Sequence, residues 1–161
     1  MKKRLLAFSL LLCVALVAGC GPARPPGLPV LVSCVLTFQY EDGSPVAGAM
    51  VSLIPDDADL RQWSIAGTTN ASGVATINTN ADFAGAPAGR YRVVVQKTEL
   101  RPTGATDADG NPIMEIHSLI AAEFSDPGRT PLSLEVGNSS VRETFEAGPA
   151  TTFRVEIETL L

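Results

Sequence analysis

Few residues of this chain combine a reactive type with a spacing that chemistry could use. Cys20 directly follows Val17, Ala18 and Gly19, so a thiol stands behind two small side chains. Small residues let a peptidase grip the backbone, and a thiolate is the nucleophile that takes up a carbon chain. The pattern suits cleavage between Gly19 and Cys20 and lipid attachment to the Cys20 sulfur. Cys13 lies upstream of that cut and Cys34 downstream. Cys34 then has no partner for an internal disulfide, and its apolar neighbours point to a small buried hydrophobe. His117 is the single histidine. Ser and Asp are plentiful, yet no G-x-S-x-G elbow exists and the residues around His117 match no catalytic box. His117 therefore reads as a loop or surface residue, and no catalytic residue is expected.

Two acidic stretches invite a metal reading. Asp107-Ala108-Asp109-Gly110-Asn111 resembles part of a calcium loop, but an EF-hand places Gly sixth and Glu twelfth. Here Gly110 is fourth and Ser118 is twelfth. A polar turn is the better reading. Asp56, Asp57 and Asp59 could gather oxygen ligands, but a solvated loop explains them as well. No metal site and no cofactor are expected. Trp63, Phe83, Phe124 and Phe145 could line a sugar-binding face, although so few aromatics in a chain this size mostly serve a core.

The segment before Cys20 has three parts. Lys2, Lys3 and Arg4 are basic, residues 5–17 are apolar apart from Ser9, and small residues precede the cut. That is the pattern of a secretory signal, too short for a membrane-spanning helix of about 20 residues. Val17-Ala18-Gly19-Cys20 further resembles the bacterial lipobox. By that resemblance Cys20 carries a diacylglycerol, becomes the mature N-terminus and holds the protein at the cell envelope, since several acyl chains anchor stably where one does not. In a cell with two membranes, Gly21 in place of Asp favours the outer one. Residues 1–19 are then the signal peptide, 20–29 a Pro-rich tether stiffened toward an extended form, and 30–161 one β domain.

Removing the three leading basic residues leaves nine basic against seventeen acidic, a net charge of −8. Such a surface does not suit nucleic acid or anionic lipid heads. From Val30 onward the hydrophobic period is two. Strands are expected at 30–40, 46–54, 63–69, 74–79, 90–97, 132–136 and 152–158, with Tyr91, Val93 and Val95 inward and Arg90 and Arg92 outward. Residues 98–131, broken by Pro102, Gly104, Gly110, Pro112, Pro127, Gly128 and Pro131, read as a long excursion with one helical turn near 117–124. Seven short strands separated by turn signals predict an all-β chain, a seven-stranded antiparallel β-sandwich.

Three segments carry a family likeness. Asp42-Gly43-Ser44-Pro45-Val46-Ala47-Gly48-Ala49-Met50-Val51 resembles the D-G-x-P-V-x-G-A-x-V opening of carboxypeptidase regulatory-like domains, relatives of the transthyretin (prealbumin) fold. Thr69-Asn70-Ala71-Ser72-Gly73-Val74-Ala75 is similar to their T-D-x-x-G-x-F turn, with Asn70 for Asp and Ala75 for an aromatic. Pro87-Ala88-Gly89-Arg90-Tyr91-Arg92-Val93 resembles their P-x-G-x-Y-x-V strand start. Further on, Phe124-Ser125-Asp126-Pro127, Thr130-Pro131-Leu132 and Glu135-Val136 resemble small lipoproteins of planctomycete type that bear this domain. The resemblance implies a fold and an address, not a reaction. Transthyretin-related hydrolases of 5-hydroxyisourate rely on several histidines and a terminal Tyr-Arg-Gly-Ser, whereas this chain ends Glu158-Thr159-Leu160-Leu161. The zinc-bearing catalytic domain of a carboxypeptidase has no counterpart here. The expected role is a non-enzymatic interaction or structural module held at the membrane through Cys20, with an envelope protein or glycan as partner. A carbohydrate- or calcium-binding module at the cell surface is the alternative. Oligomeric state is not legible.

Overall fold

In the computed structural model, residues 23–147 are described in full and Arg154 and Val155 by their backbone. Wherever apolar and polar residues alternate, the chain runs as strand, because one side of a pleated strand can then be buried and the other left to water. The strands are β1 Leu31–Val32, β2 Cys34–Gln39, β3 Met50–Pro55, β4 Ile65–Thr68, β5 Val74–Thr76, β6 Asn78–Thr79 and β7 Phe83–Ala84. They continue as β8 Ala86–Pro87, β9 Gly89–Gln96, β10 Thr98–Thr106, β11 Pro112–Ser118, β12 Ser133–Val136, β13 Val141–Glu146 and β14 Arg154–Val155. One short helix, α1 Ala122–Ser125, packs against β9.

These strands form four sheets. A six-stranded sheet has the order β12-β9-β3-β4-β6-β7, and a three-stranded one the order β13-β2-β5. Both bury their apolar sides in one common cluster. β2 supplies Cys34, Leu36 and Phe38; β3 supplies Val51 and Leu53; β9 supplies Tyr91, Val93 and Val95; β12 supplies Leu134 and Val136. The inward and outward sides of β9 are those its alternation predicts, with Arg90 and Arg92 exposed. β1 and β8 make a two-stranded sheet, and β10-β11-β14 a separate three-stranded one.

Three features depart from the sequence expectation. An all-antiparallel, seven-stranded arrangement does not describe the chain: β13 runs parallel to β2, from Val141 beside Cys34 to Glu146 beside Gln39. Parallel neighbours cannot be joined by a tight hairpin; the chain between β2 and β13 runs through β3 to β12, and residues 137–140 carry it from β12 in the six-stranded sheet to β13 beside β2. Second, the excursion after residue 97 is mostly a β-hairpin. β10 and β11 pair from Thr98 opposite Ser118 to Thr106 opposite Pro112, with a register shift after Pro102; the helical turn is α1, at the late end of the span expected for it. Third, residues 23–29 are not an extended spacer. The chain turns at Pro26 and Gly27, Leu28 N–H donates to Pro25 O at 3.3 Å, and Leu28 is buried. Arg24 Nη2 ties the turn by donating to Leu28 O at 3.2 Å and Pro29 O at 2.6 Å. Burial of one leucine and three hydrogen bonds outweigh the extended preference of the prolines.

The hairpin adds little to the buried cluster, since every residue of β10 but the half-buried Glu99 is exposed. Replacing residues 99–117 by Asn-Gly, a two-residue turn suited to hairpins, should therefore change the unfolding free energy by less than about 1 kcal/mol. Urea denaturation of the shortened and full chains tests this. A loss of several kcal/mol would mean that the arm holds up the body.

Candidate functional site

The residues of the three motif segments are occupied with one another. Asp42 Oδ1 accepts from Ser44 N–H at 2.9 Å and Ser44 Oγ at 2.6 Å, and Tyr40 and Ser44 close the turn through Tyr40 N–H to Ser44 O at 2.8 Å. Those bonds hold the Asp42 carboxyl below the usual range for aspartate, the Ser44 hydroxyl first among the causes. Asn70 Oδ1 accepts from Ser72 N–H at 2.9 Å and Val74 N–H at 3.0 Å, a role that the Asp of the family pattern would fill equally well. Tyr91 Oη donates to Pro87 O at 2.7 Å, which ties the strand start to the strand, much as a tyrosine corner does in sandwich folds. Among the described residues no buried side-chain nitrogen or oxygen lacks a partner.

The other candidates lie apart from one another. Gly19 and Cys20 lie outside the described residues. Cys34 is buried on β2, and burial, followed by the nearby Glu143 charge, pushes its thiol up to about 11. His117 and Glu115, two apart on β11, bring Nε2 and Oε1 to 2.5 Å; Glu99 stands opposite His117. Asp107 Oδ1 accepts from Asp109 N–H at 3.0 Å and Asn111 N–H at 2.8 Å. The Asn111 contacts hold its carboxyl below the usual range. Its lone pairs thus close a polar turn between β10 and β11. Asp57 caps the short 3₁₀ turn Ala58–Leu60, and Asp56 pairs with Arg92 at 3.7 Å. Among the described residues no three His, Cys, Asp or Glu side chains converge as metal ligands. The aromatics do not make a platform either: Phe124 belongs to the buried cluster, Trp63 packs against it, and Phe145 stacks on Phe38 with ring centres 5.4 Å apart.

Two of these groups set a pH limit. Burial raises Cys34 from 9.0 to about 11 and, as the largest cause, raises Tyr91 from 10.0 to about 12. Below pH 9 both states keep these protons, so the contribution is fully present. As pH rises from 9 to 11 for Cys34, and from 10 to 12 for Tyr91, the unfolded chain releases a proton that the folded chain retains, and stability falls. Two units correspond to about 2–3 kcal/mol for Cys34. Urea midpoints measured at pH 8 and pH 10.5 should drop, and Cys34→Ala should flatten the part of the drop nearest pH 9. A midpoint that does not move would refute the assignment.

The sequence marks the 98–131 excursion as a surface open to partners, but not that residues 98–118 of it form a two-sided hairpin. Register places Leu100, Met114 and Ile116 on one side of it, and Glu99, Arg101, Glu115 and His117 on the other. Arg101 and Glu99 form an ion pair along β10. Leu100 is 64% exposed, Ile113 43% and Met114 41%. A spacing signal was present in Met114 and Ile116, but the prolines and glycines around it read as loop. A concave surface beside Asp56, Arg90, Arg92 and Glu135 is an open groove whose arginines already face carboxylates, Arg90 to Glu135 at 3.9 Å among them.

The site and fold together define an all-β chain with an exposed arm. No family model matches it, and no curated protein does. Among solved structures it is similar to the major pilin subunit BcpA of Bacillus cereus, in its D312A form, at 17% identity and a TM-score of 0.42 over 74% of this chain and 30% of that one. It is also similar to a 9R-lipoxygenase from Cyanothece PCC8801 at 14% identity and a TM-score of 0.33, over 89% of this chain and 20% of that one. The chain thus spans less than a third of either protein's length.

Proposed function

We propose that this protein is a non-enzymatic lipoprotein of the cell envelope, a β-sandwich of the carboxypeptidase regulatory-like, transthyretin-related kind that displays the β10–β11 hairpin to a partner. The observation that carries the display role is the exposure of the arm: Leu100, Ile113 and Met114 stand in solvent on it, three of the five exposed large hydrophobic residues among those described, the other two being Val30 and Met50. Large apolar residues exposed together on a loop-like arm mark interaction surfaces. Chain order supports the same reading. β1, the first strand after the tether, pairs with β8 just before β9 begins, and the hairpin leaves where β9 ends. Eight extended residues span roughly 26 Å, so β1 and the arm lie at opposite ends of β9. The address rests on the lipobox resemblance and on the apolar leader. The sandwich reading is supported by the core shared between the six-stranded and the β13-β2-β5 sheets.

The decisive experiment expresses full-length protein in a bacterial host and follows it by fractionation and mass. Wild type is expected in the membrane fraction, lacking residues 1–19 and heavier by its acyl groups; Cys20→Ser is expected to lose both the acyl mass and the membrane association. Equal membrane association of the two would overturn the anchor. For the display role, a photo-crosslinking residue at Leu100 or Met114 should give one discrete adduct in envelopes, and one at Ser133 none. Turnover in a hydrolase screen, or heat on titration with a glycan or Ca²⁺, would overturn the non-enzymatic, partner-binding reading.

A further inference from the structure

We propose that the surface formed by Val30, Leu31 and β7 is a membrane-contact face that seats the domain directly on the lipid interface. The inference rests on acylation of Cys20 and goes on to say how the domain sits. Cys20 precedes Ala23 by three residues, a reach of at most about 11 Å. From Arg24 onward there is no slack: Arg24 clasps Leu28 O and Pro29 O, and Leu31 and Val32 are paired with Pro87 and Ala86. The headgroup layer on each side of a bilayer is about 5–8 Å thick. A thiol acylated at that layer therefore holds the start of the folded body within a few ångströms of it, and the nearest face has to meet lipid.

The nearest face is suited to that contact. A groove beside the anchor segment is lined by Arg24, Val30, Leu31, Asp82, Phe83 and Ala84. Val30 is 81% exposed, the most exposed large hydrophobic residue among those described, and Phe83 is half-buried beside it. Arg24 and Asp82 balance in charge, while the processed chain carries −8. Attraction to anionic heads is thus ruled out as the source of contact. What remains is shallow apolar insertion at the headgroup boundary, a contact with neutral lipid that added salt does not weaken.

The test uses the full-length, acylated protein in neutral phosphatidylcholine vesicles containing lipids brominated near the glycerol. Two reporters are made in a Trp63→Phe background, Val30→Trp at the proposed face and Leu100→Trp on the arm; both sites are exposed, so neither reporter endangers the fold. Quenching of about twofold or more at position 30, little at position 100, and no change on adding salt are expected for insertion to the interface. If Trp63→Phe fails to fold, the same comparison is made as the added signal over wild type. Protein that floats with the vesicles but leaves the position-30 reporter unquenched overturns the seating and leaves the anchor standing. Protein that carries no acyl mass and does not float overturns the anchor, and the seating with it.

Discussion

Gly73→Ala is expected to destabilise the protein by about 3 kcal/mol or more, lowering the melting temperature by roughly 10 °C or more. Gly73 has φ of +74°, and a β-carbon there would stand 2.3 Å from Phe38 O, 3.2 Å from Pro45 Cβ and 3.3 Å from Val46 N. Left-handed backbone alone costs an L-residue about 1–2 kcal/mol. The contact with Phe38 O is worse, because that oxygen cannot move freely. It accepts from Val46 N–H at 3.0 Å, while Phe38 N–H donates to Gly73 O at 2.8 Å. Any shift that admits the methyl group must loosen these two bonds and disturb Phe38, which is fully buried. Gly43→Ala separates the two causes. Gly43 has φ of +79°, but nothing lies within 4 Å of its would-be β-carbon, so only the backbone strain of about 1–2 kcal/mol is expected. Thermal and urea unfolding of both variants gives the comparison. Equal losses would show that close approach at Gly73 is unimportant.

That result would also explain which parts of the fold can be read from sequence. Gly43, Asn70 and Gly73 were legible because each turn has a local chemical requirement, a left-handed residue or a short side chain that bonds its own backbone. Cys34, Leu36 and Phe38, or Tyr91, Val93 and Val95, were legible because a strand covered on one side leaves a period of two in the residues. β10 was not, because neither of its sides is buried along most of its length and no alternation is selected. Pro102 and Gly104 inside it then resembled loop. β13 failed for a different reason. Arg142, Glu143 and Thr144 separate Val141 from Phe145, so no period of two marks the strand, and a parallel seat beside β2 follows from the path between sheets, which no local signal encodes. Among candidate site residues, the reading of Asp107–Asn111 as a polar turn and of Cys34 as a buried thiol agrees with the structure, since both follow from immediate neighbours. The apolar side of the arm and the folded-back anchor segment depend on what the rest of the chain leaves uncovered.

Thr69→Val should be nearly as damaging as Gly73→Ala, although it preserves shape and adds apolar surface. Thr69 is buried, one of the two buried polar residues among those described. Its hydroxyl donates to Val46 O at 2.6 Å and accepts from Ala49 N–H at 2.8 Å. The backbone on either side runs the same way, with Thr69 N–H to Ala49 O at 2.9 Å and Gly48 N–H to Thr69 O at 3.0 Å. One side chain thus bonds two backbone groups of the 46–49 turn to the end of β4. Valine would leave Val46 O and Ala49 N–H facing a methyl group in the interior, and each buried orphan costs about 1–3 kcal/mol. The expected loss is about 2–5 kcal/mol against a gain of under 1 kcal/mol from the added methyl carbon. Thr69→Ser keeps the hydroxyl and should recover most of the loss, giving up only the methyl group. If serine proved as destabilising as valine, the methyl group and not the hydroxyl would be what Thr69 supplies, and the turn would be held by packing alone.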